Sequence, residues 1–338
     1  MARLGIGIGG PYPFLGPLAK AIEDRGFDSV WVPETTQDSI VQSAVLAAHT
    51  SSIRIGTDIT LAFPRSPTIT AMSAWDLCEL TNDRFVIGLG SQVRRIIEDR
   101  FSSDYSQPAK RMAEYVQAMK TVWRMARGED ASFEGELYRV VHHGVGGKAK
   151  PNDRQMPKVF VAAVGPLMTK AAATHADGLL GHPFTSLNYI TNLVQPRIED
   201  ALADAGRPRE DFELVQSFIC SISDDRQQAR EEAKQQIAFY GTTPNYRDVF
   251  ESNGEGHLTD QLREVFKKDP TNVEALRAAV PEEAVDRYAV AGTADEVRDR
   301  LAEYHPHADE LMFNVPWYRM RPERMAEGIA AFIDVFGN

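Results

Sequence analysis

The stretch RIGTDITLAFPRSP, Arg54 to Pro67, sets a carboxylate, Asp58, among Ile53, Ile55, Ile59 and Leu61. A carboxylate in an apolar strand is costly unless a cation pairs with it or the backbone turns it away. Arg54 and Arg65 are the cations nearest in sequence. The other reactive side chains fall just past apolar runs: Glu34 and Thr35 after DSVWVP, Ser91 after RFVIGLG, and His182 after DGLLG. Beside them lie Gly9, Gly10, Gly90 and Gly165. His, Asp and Glu do not gather with metal-ligand spacing, which argues against a metal-dependent hydrolase. No GxSxG elbow is present to present a nucleophile. Glycine, small residues and hydroxyls suit a large planar ligand held close to the backbone.

One segment adds a place for an anion. VFVAAVGPLMTKAAATHADG runs from strand to helix through Ala163, Val164, Gly165 and Pro166. Proline suits a first helical position, where its missing N–H costs nothing. The free N–H groups of such a helix start can receive a phosphate. The same letters also describe an ordinary strand–turn–helix.

The elements that carry these residues alternate. Strands are expected over residues 4–9, 28–33, 53–61, 84–90, 158–164, 177–182, 212–222 and 309–315. Helices are expected over 15–25, 38–49, 67–80, 109–126, 166–175, 187–205, 225–240 and 322–336. The strands are near-continuous apolar runs, as when both faces are covered. Eight strand–helix units imply a closed (β/α)8 TIM barrel of the α/β class, with active-site residues at the C-terminal strand ends. An open doubly wound sheet is the runner-up, but GIGIGG at Gly5–Gly10 runs into PYP and not into a helix. Two stretches exceed the minimal barrel, after strands 4 and 7: residues 128–155 and 244–292. With no linker between them, a single domain over 1–338 is expected.

Composition bounds the partners. Of 338 residues 43% are hydrophobic, and the net charge of −11 argues against nucleic acid or an anionic membrane. No run reaches the ~18 apolar residues of a membrane helix, and the N-terminus does not read as a signal peptide. Two cysteines, Cys78 and Cys220, without CxxC, fit buried thiols in a reducing, cytoplasmic compartment.

Taken in order, LGIGIGG, FDSVWVPE, IRIGTDITLAFPRSP, DRFVIGLGSQ, RMAEYVQAMKTVW, PKVFVAAVGPLMTKAAATHADG and AVAGTADEVRDRLAEY resemble the bacterial luciferase-like monooxygenase superfamily, within it the branch using the deazaflavin coenzyme F420. The resemblance runs from about residue 4 to residue 336 and implies a barrel. It implies a cis peptide in the third strand, here Asp58–Ile59 within Gly56-Thr57-Asp58-Ile59, behind the middle of the flavin ring. It implies that Gly9, Thr35, Thr57, Asp58, Ile59, Gly90, Ser91, Ala163, Val164, Gly165, Pro166 and His182 face the cofactor, with Gly88 close by. Glu34 and His182 are the acid–base candidates. Sugar-phosphate dehydrogenase relatives carry histidine where Thr35 stands, so that substrate class is disfavoured. Arg94, Arg95, Arg100, Lys110 and Arg111 form a basic strip for the acidic tail of F420. Tyr12, Phe14, Trp317 and Tyr318 are expected at the pocket, and Trp75 and Trp123 in the core. The implied activity is hydride transfer between F420 and a small organic substrate, in a homodimer joined near the second and third units. Two alternatives stand beside it: an FMN-dependent monooxygenase supplied by a reductase, and a non-catalytic flavin-binding protein.

Overall fold

The computed structural model describes residues 1–338. Eight parallel strands form the barrel: β1 (Arg3–Gly7), β2 (Ser29–Val32), β3 (Arg54–Thr57), β4 (Phe85–Gly90), β5 (Lys158–Ala162), β6 (Gly178–Gly181), β7 (Glu213–Ile222) and β8 (Glu310–Asn314). Each pairs with the next, and β8 pairs with β1 in the register Arg3↔Glu310, which closes the ring. The expected (β/α)8 barrel is the fold found.

Helices between the strands start where the sequence supplies caps. Asp38 accepts the N–H groups of Ile40 at 2.8 Å and Val41 at 3.1 Å to open Ser39–His49. Ser66 caps Pro67–Thr81, with proline in the first turn. No helix is long and apolar enough to cross a membrane.

Side chains alternate in and out along each strand, so the barrel interior fills in layers. At the N-terminal end Arg3, Arg54 and Lys158 meet Glu213 and Glu310. Arg54 Nη1 lies 2.8 Å from Glu213 and 3.3 Å from Glu310, and Lys158 Nζ lies 2.5 Å from Glu213. Glu310, fully buried, also accepts Ser29 Oγ at 2.5 Å and Trp31 Nε1 at 2.8 Å. Above this layer sits an apolar plug of Trp31, Val86, Phe160, Leu180, Val215 and Met312. Together the two layers seal the bottom, so a ligand can enter only from the C-terminal face.

Two regions differ from the expected elements. The third strand was expected to run unbroken over 53–61. It stops at Thr57 and resumes as Thr60–Leu61, which pairs with β4 in the register Thr60↔Leu89. The Asp58–Ile59 peptide between them is cis. A helix not expected from the sequence, Arg94–Phe101, follows β4. Within 128–155 lies a small antiparallel hairpin, Phe133–Glu134 with Arg139–Val140. Within 244–292 four short helices lead to a strand, Val290–Gly292, that pairs with the far half of β7.

Candidate active site

Above the plug the inward positions turn small. Continuing the alternation from Val86, Phe160, Leu180, Val215 and Met312, they are Gly88, Ala162, His182, Ser217 and Asn314. Gly7 belongs to the same layer, since a Cβ there would stand 2.8 Å from Asn314 Oδ1. Ser217 Oγ and Asn314 Nδ2 are buried without a protein partner. An interior that loses bulk and gains unpaired polar atoms at one end is shaped for a ligand.

Asp58 stands at the rim of this layer. Neither arginine near it in sequence pairs with it. Arg54 belongs to the bottom layer, and Arg65 holds Glu34 and Asp38. Asp58 is half-buried, and its carboxyl is surrounded by dense protein. Burial alone pushes it up to about 7, with no hydrogen bond or cation to oppose the shift. Ile59, beside it, lies over the plug and against Gly90, where a Cβ would come within 1.8 Å of Ile59 Cδ1.

Two residues expected at the cofactor are occupied elsewhere. Thr57 Oγ1 donates to the Gly88 carbonyl at 2.8 Å and accepts the Gly88 N–H at 2.9 Å, and it is fully buried. It braces β3 on β4. Glu34, expected as an acid or base, accepts the Leu61 N–H at 2.7 Å and lies 2.7 Å from Arg65 Nη2, with its side chain 8% exposed. Its oxygens hold the restart of the third strand in place. Thr35 is exposed, and its carbonyl accepts Arg100 Nη2 at 2.9 Å. Ser91 lies near Tyr105 OH, 3.4 Å away.

His182 is held by the backbone after it. The Phe184 N–H donates to Nδ1 at 3.1 Å. The neutral ring therefore carries its proton on Nε2. Burial pushes the imidazole down to about 3. Aromatic rings surround it: Tyr246 is stacked at a centroid distance of 4.1 Å, and Tyr240 stands edge-on at 4.6 Å. Trp317 Nε1 donates to Tyr240 OH at 3.1 Å. Gln236 Oε1 accepts both the Trp317 and Tyr318 N–H groups at 2.9 Å, which pins the segment after β8 to helix Arg226–Gly241. Of the two aromatics expected there, Trp317 reaches Tyr240, whereas the Tyr318 ring stacks on Phe239, with its OH donating to the Pro270 carbonyl at 3.4 Å. Tyr12 and Phe14 lie farther out, 36% and 71% exposed. Trp123 is fully buried, and Trp75 is half-buried under the Arg154 guanidinium.

At Ala163–Pro166 the strand turns into helix Pro166–His175 with no side-chain cap. Nothing lies within 4 Å of where a Gly165 Cβ would be. The Val164 carbonyl is fixed by Tyr189 OH at 2.8 Å and Arg197 Nη1 at 3.4 Å. Uncapped N–H groups beside open space match the needs of a phosphate.

The basic strip does not survive as a charged surface. Arg94 pairs with Glu98 at 2.7 Å, Arg95 with Asp99 at 3.4 Å and Lys110 with Glu136 at 2.5 Å. Arg111 pairs with Asp104. Helix spacing brings acids to Arg94 and Arg95, tertiary packing brings them to Lys110 and Arg111, and Arg100 is left without a carboxylate.

Residues 5–309 match the family described as luciferase-like monooxygenase. An uncharacterized protein of Mycobacterium tuberculosis is 37% identical over 287 residues, 84% of each chain. Another from the same organism, provisionally named a coenzyme F420-dependent oxidoreductase, is 29% identical over 313 residues, 87% of this chain and 88% of its own. Among solved structures, the coenzyme F420 dependent tetrahydromethanopterin reductase of Methanopyrus kandleri superposes with a TM-score of 0.79 at 21% identity, covering 98% of this chain and 97% of its own. The chain belongs to the luciferase-like monooxygenase family.

Proposed function

We propose that this protein is an F420-dependent oxidoreductase that moves a hydride between the deazaflavin and a small organic substrate. The observation that carries the reading is the uncapped helix start at Gly165–Pro166 opening beside a mouth lined by Gly7, Ala162, Ser217, Asn314 and a neutral His182. These residues fit a planar ring with a phosphorylated side chain. The names of the relatives favour F420 over FMN.

When bound, a deazaflavin supplies a carbon centre that gives or takes hydride and reacts poorly with oxygen. In this assignment the N–H groups after Gly165 hold the phosphate. Ile59 supports the ring from the barrel side. His182 donates its Nε2–H to a ring or substrate acceptor without carrying charge. Tyr240, Tyr246 and Trp317 cover the site and keep water out. We also propose a homodimer across helices Ser39–His49 and Pro67–Thr81, where Val41, Ile69 and Met72 are 49%, 57% and 54% exposed. Sedimentation is expected to give twice the chain mass.

Oxygen consumption tests the activity. The protein supplied with reduced F420 should take up no oxygen above the rate of the free coenzyme. With reduced FMN, formation of an oxygenated organic product that requires the protein, beyond the uptake that free reduced FMN gives by itself, would make it a monooxygenase instead.

A further inference from the structure

The titratable side chains at the mouth differ in whether they can exchange a proton near neutrality. His182 holds its Nδ1 lone pair on the Phe184 N–H and stays neutral because it is buried. Glu34 is committed to Arg65 and the Leu61 N–H. Tyr240 and Tyr246 are pushed up by burial, far from neutrality. Asp58 is left. It is half-buried just past the C-terminal end of β3, its carboxyl has no protein partner, and it lies close enough to Tyr240 for its charge to act on that phenol.

We propose that Asp58 is the proton-exchanging residue of this site, and that the substrate is a compound with a polar C=O or C=N bond, or the alcohol or amine formed from it. The substrate heteroatom would lie against the Asp58 carboxyl and its carbon against the ring. This rests on the deazaflavin reading above. In the reducing direction, hydride from the reduced deazaflavin forms a C–H bond at the substrate carbon, and the π electrons move to the heteroatom. The Asp58 O–H proton passes to that heteroatom, leaving a carboxylate that regains its proton from solvent. The deazaflavin is oxidised by two electrons and the substrate reduced by two. The oxidising direction runs the same transfers backwards, with the Asp58 carboxylate as base.

The surroundings favour this role. Tyr240, from helix Arg226–Gly241, is the titratable group that feels the Asp58 charge, and no cation or other ionised group acts on the Asp58 carboxyl. A carboxyl so placed can hold its proton at neutral pH and release it when a substrate oxygen or nitrogen gains charge.

The test is a 13C NMR titration of protein labelled at the aspartate carboxyls, with Asp58→Asn and Asp58→Ala each used to assign the Asp58 resonance. The expected resonance titrates near 7 in the free protein and moves when F420 is added. In the F420-loaded protein, cyclohexanone as a carbonyl probe moves it further. Titration near the ordinary carboxylate value of about 4 would overturn the proposal, as would indifference to bound F420 or to cyclohexanone. A response to cyclohexylammonium alone would make Asp58 a cation receptor and overturn the assigned substrate class. If the wild-type protein binds no F420, the cofactor reading fails, while the free-protein titration still decides whether Asp58 exchanges protons.

Discussion

His182 and Phe184 are joined by one hydrogen bond, from the Phe184 backbone N–H to His182 Nδ1 at 3.1 Å, and that bond decides which edge of the imidazole a ligand meets. With Nδ1 spent as an acceptor, only Nε2–H remains. The stacked Tyr246 ring, 4.1 Å away, keeps the imidazole from turning.

His182 is expected to remain neutral throughout the working pH range. Its folded-state value, about 3, lies below the ordinary 6.5. The unfolded chain therefore takes up a proton that the folded one resists, and stability falls as pH drops through 6.5 toward 3. Between pH 6.5 and 5 this costs the wild type about 2 kcal/mol that His182→Gln does not lose. Urea unfolding of both proteins at the two pH values checks it.

Asp58 works in the opposite sense. Its folded value, about 7, lies above the ordinary 3.8. The folded chain holds a proton that the unfolded one has shed, so stability falls as pH rises from 4 to 7. Asp58→Asn should gain about 2 kcal/mol on the wild type in going from pH 5 to pH 7. Thermal melts of the two proteins across that range give the difference. No gain would mean that the carboxyl is solvated or paired.

Glu34 is expected to matter for stability more than for proton transfer. Glu34→Ala leaves the Leu61 N–H without its acceptor and Arg65 with Asp38 as its one carboxylate, at a cost of roughly 1–3 kcal/mol by chemical unfolding. Glu34→Gln, which keeps an acceptor for Leu61, should bind F420 as the wild type does.

The sequence displayed the scaffold well and the site unevenly, for physical reasons. Barrel strands buried on both faces are continuous apolar runs, and helices Pro166–His175 and Pro322–Phe336 carry proline at their first position, so both begin where the sequence marks them. The break after Thr57 was legible only through resemblance, because Asp58 and Ile59 carry no turn residue between them. Long-range partners were not legible. Arg65 could not be assigned to Glu34 from letters 31 residues apart. Nor could Tyr240 and Tyr246 be placed against His182, since one ends an amphipathic outer helix and the other opens an insertion. Ser217 stands among other polar residues of β7, Gln216 and Ser221, and Asn314 closes β8, so polarity alone did not single either out.

Gly165 separates folding from binding. A methyl there meets open space on an ordinary extended backbone, φ −91° and ψ 162°. Gly165→Ala should leave stability within about 0.5 kcal/mol. The same methyl would stand at the helix start assigned to the phosphate, so F420 affinity should fall about tenfold or more, read by fluorescence titration.

The most direct measurement is equilibrium titration of the purified apoprotein with F420 and, separately, with FMN, followed by ligand fluorescence at moderate salt. Tight F420 binding with weak FMN binding is the predicted result. Preference for FMN, or binding of neither, would contradict the assignment of this barrel mouth to a deazaflavin.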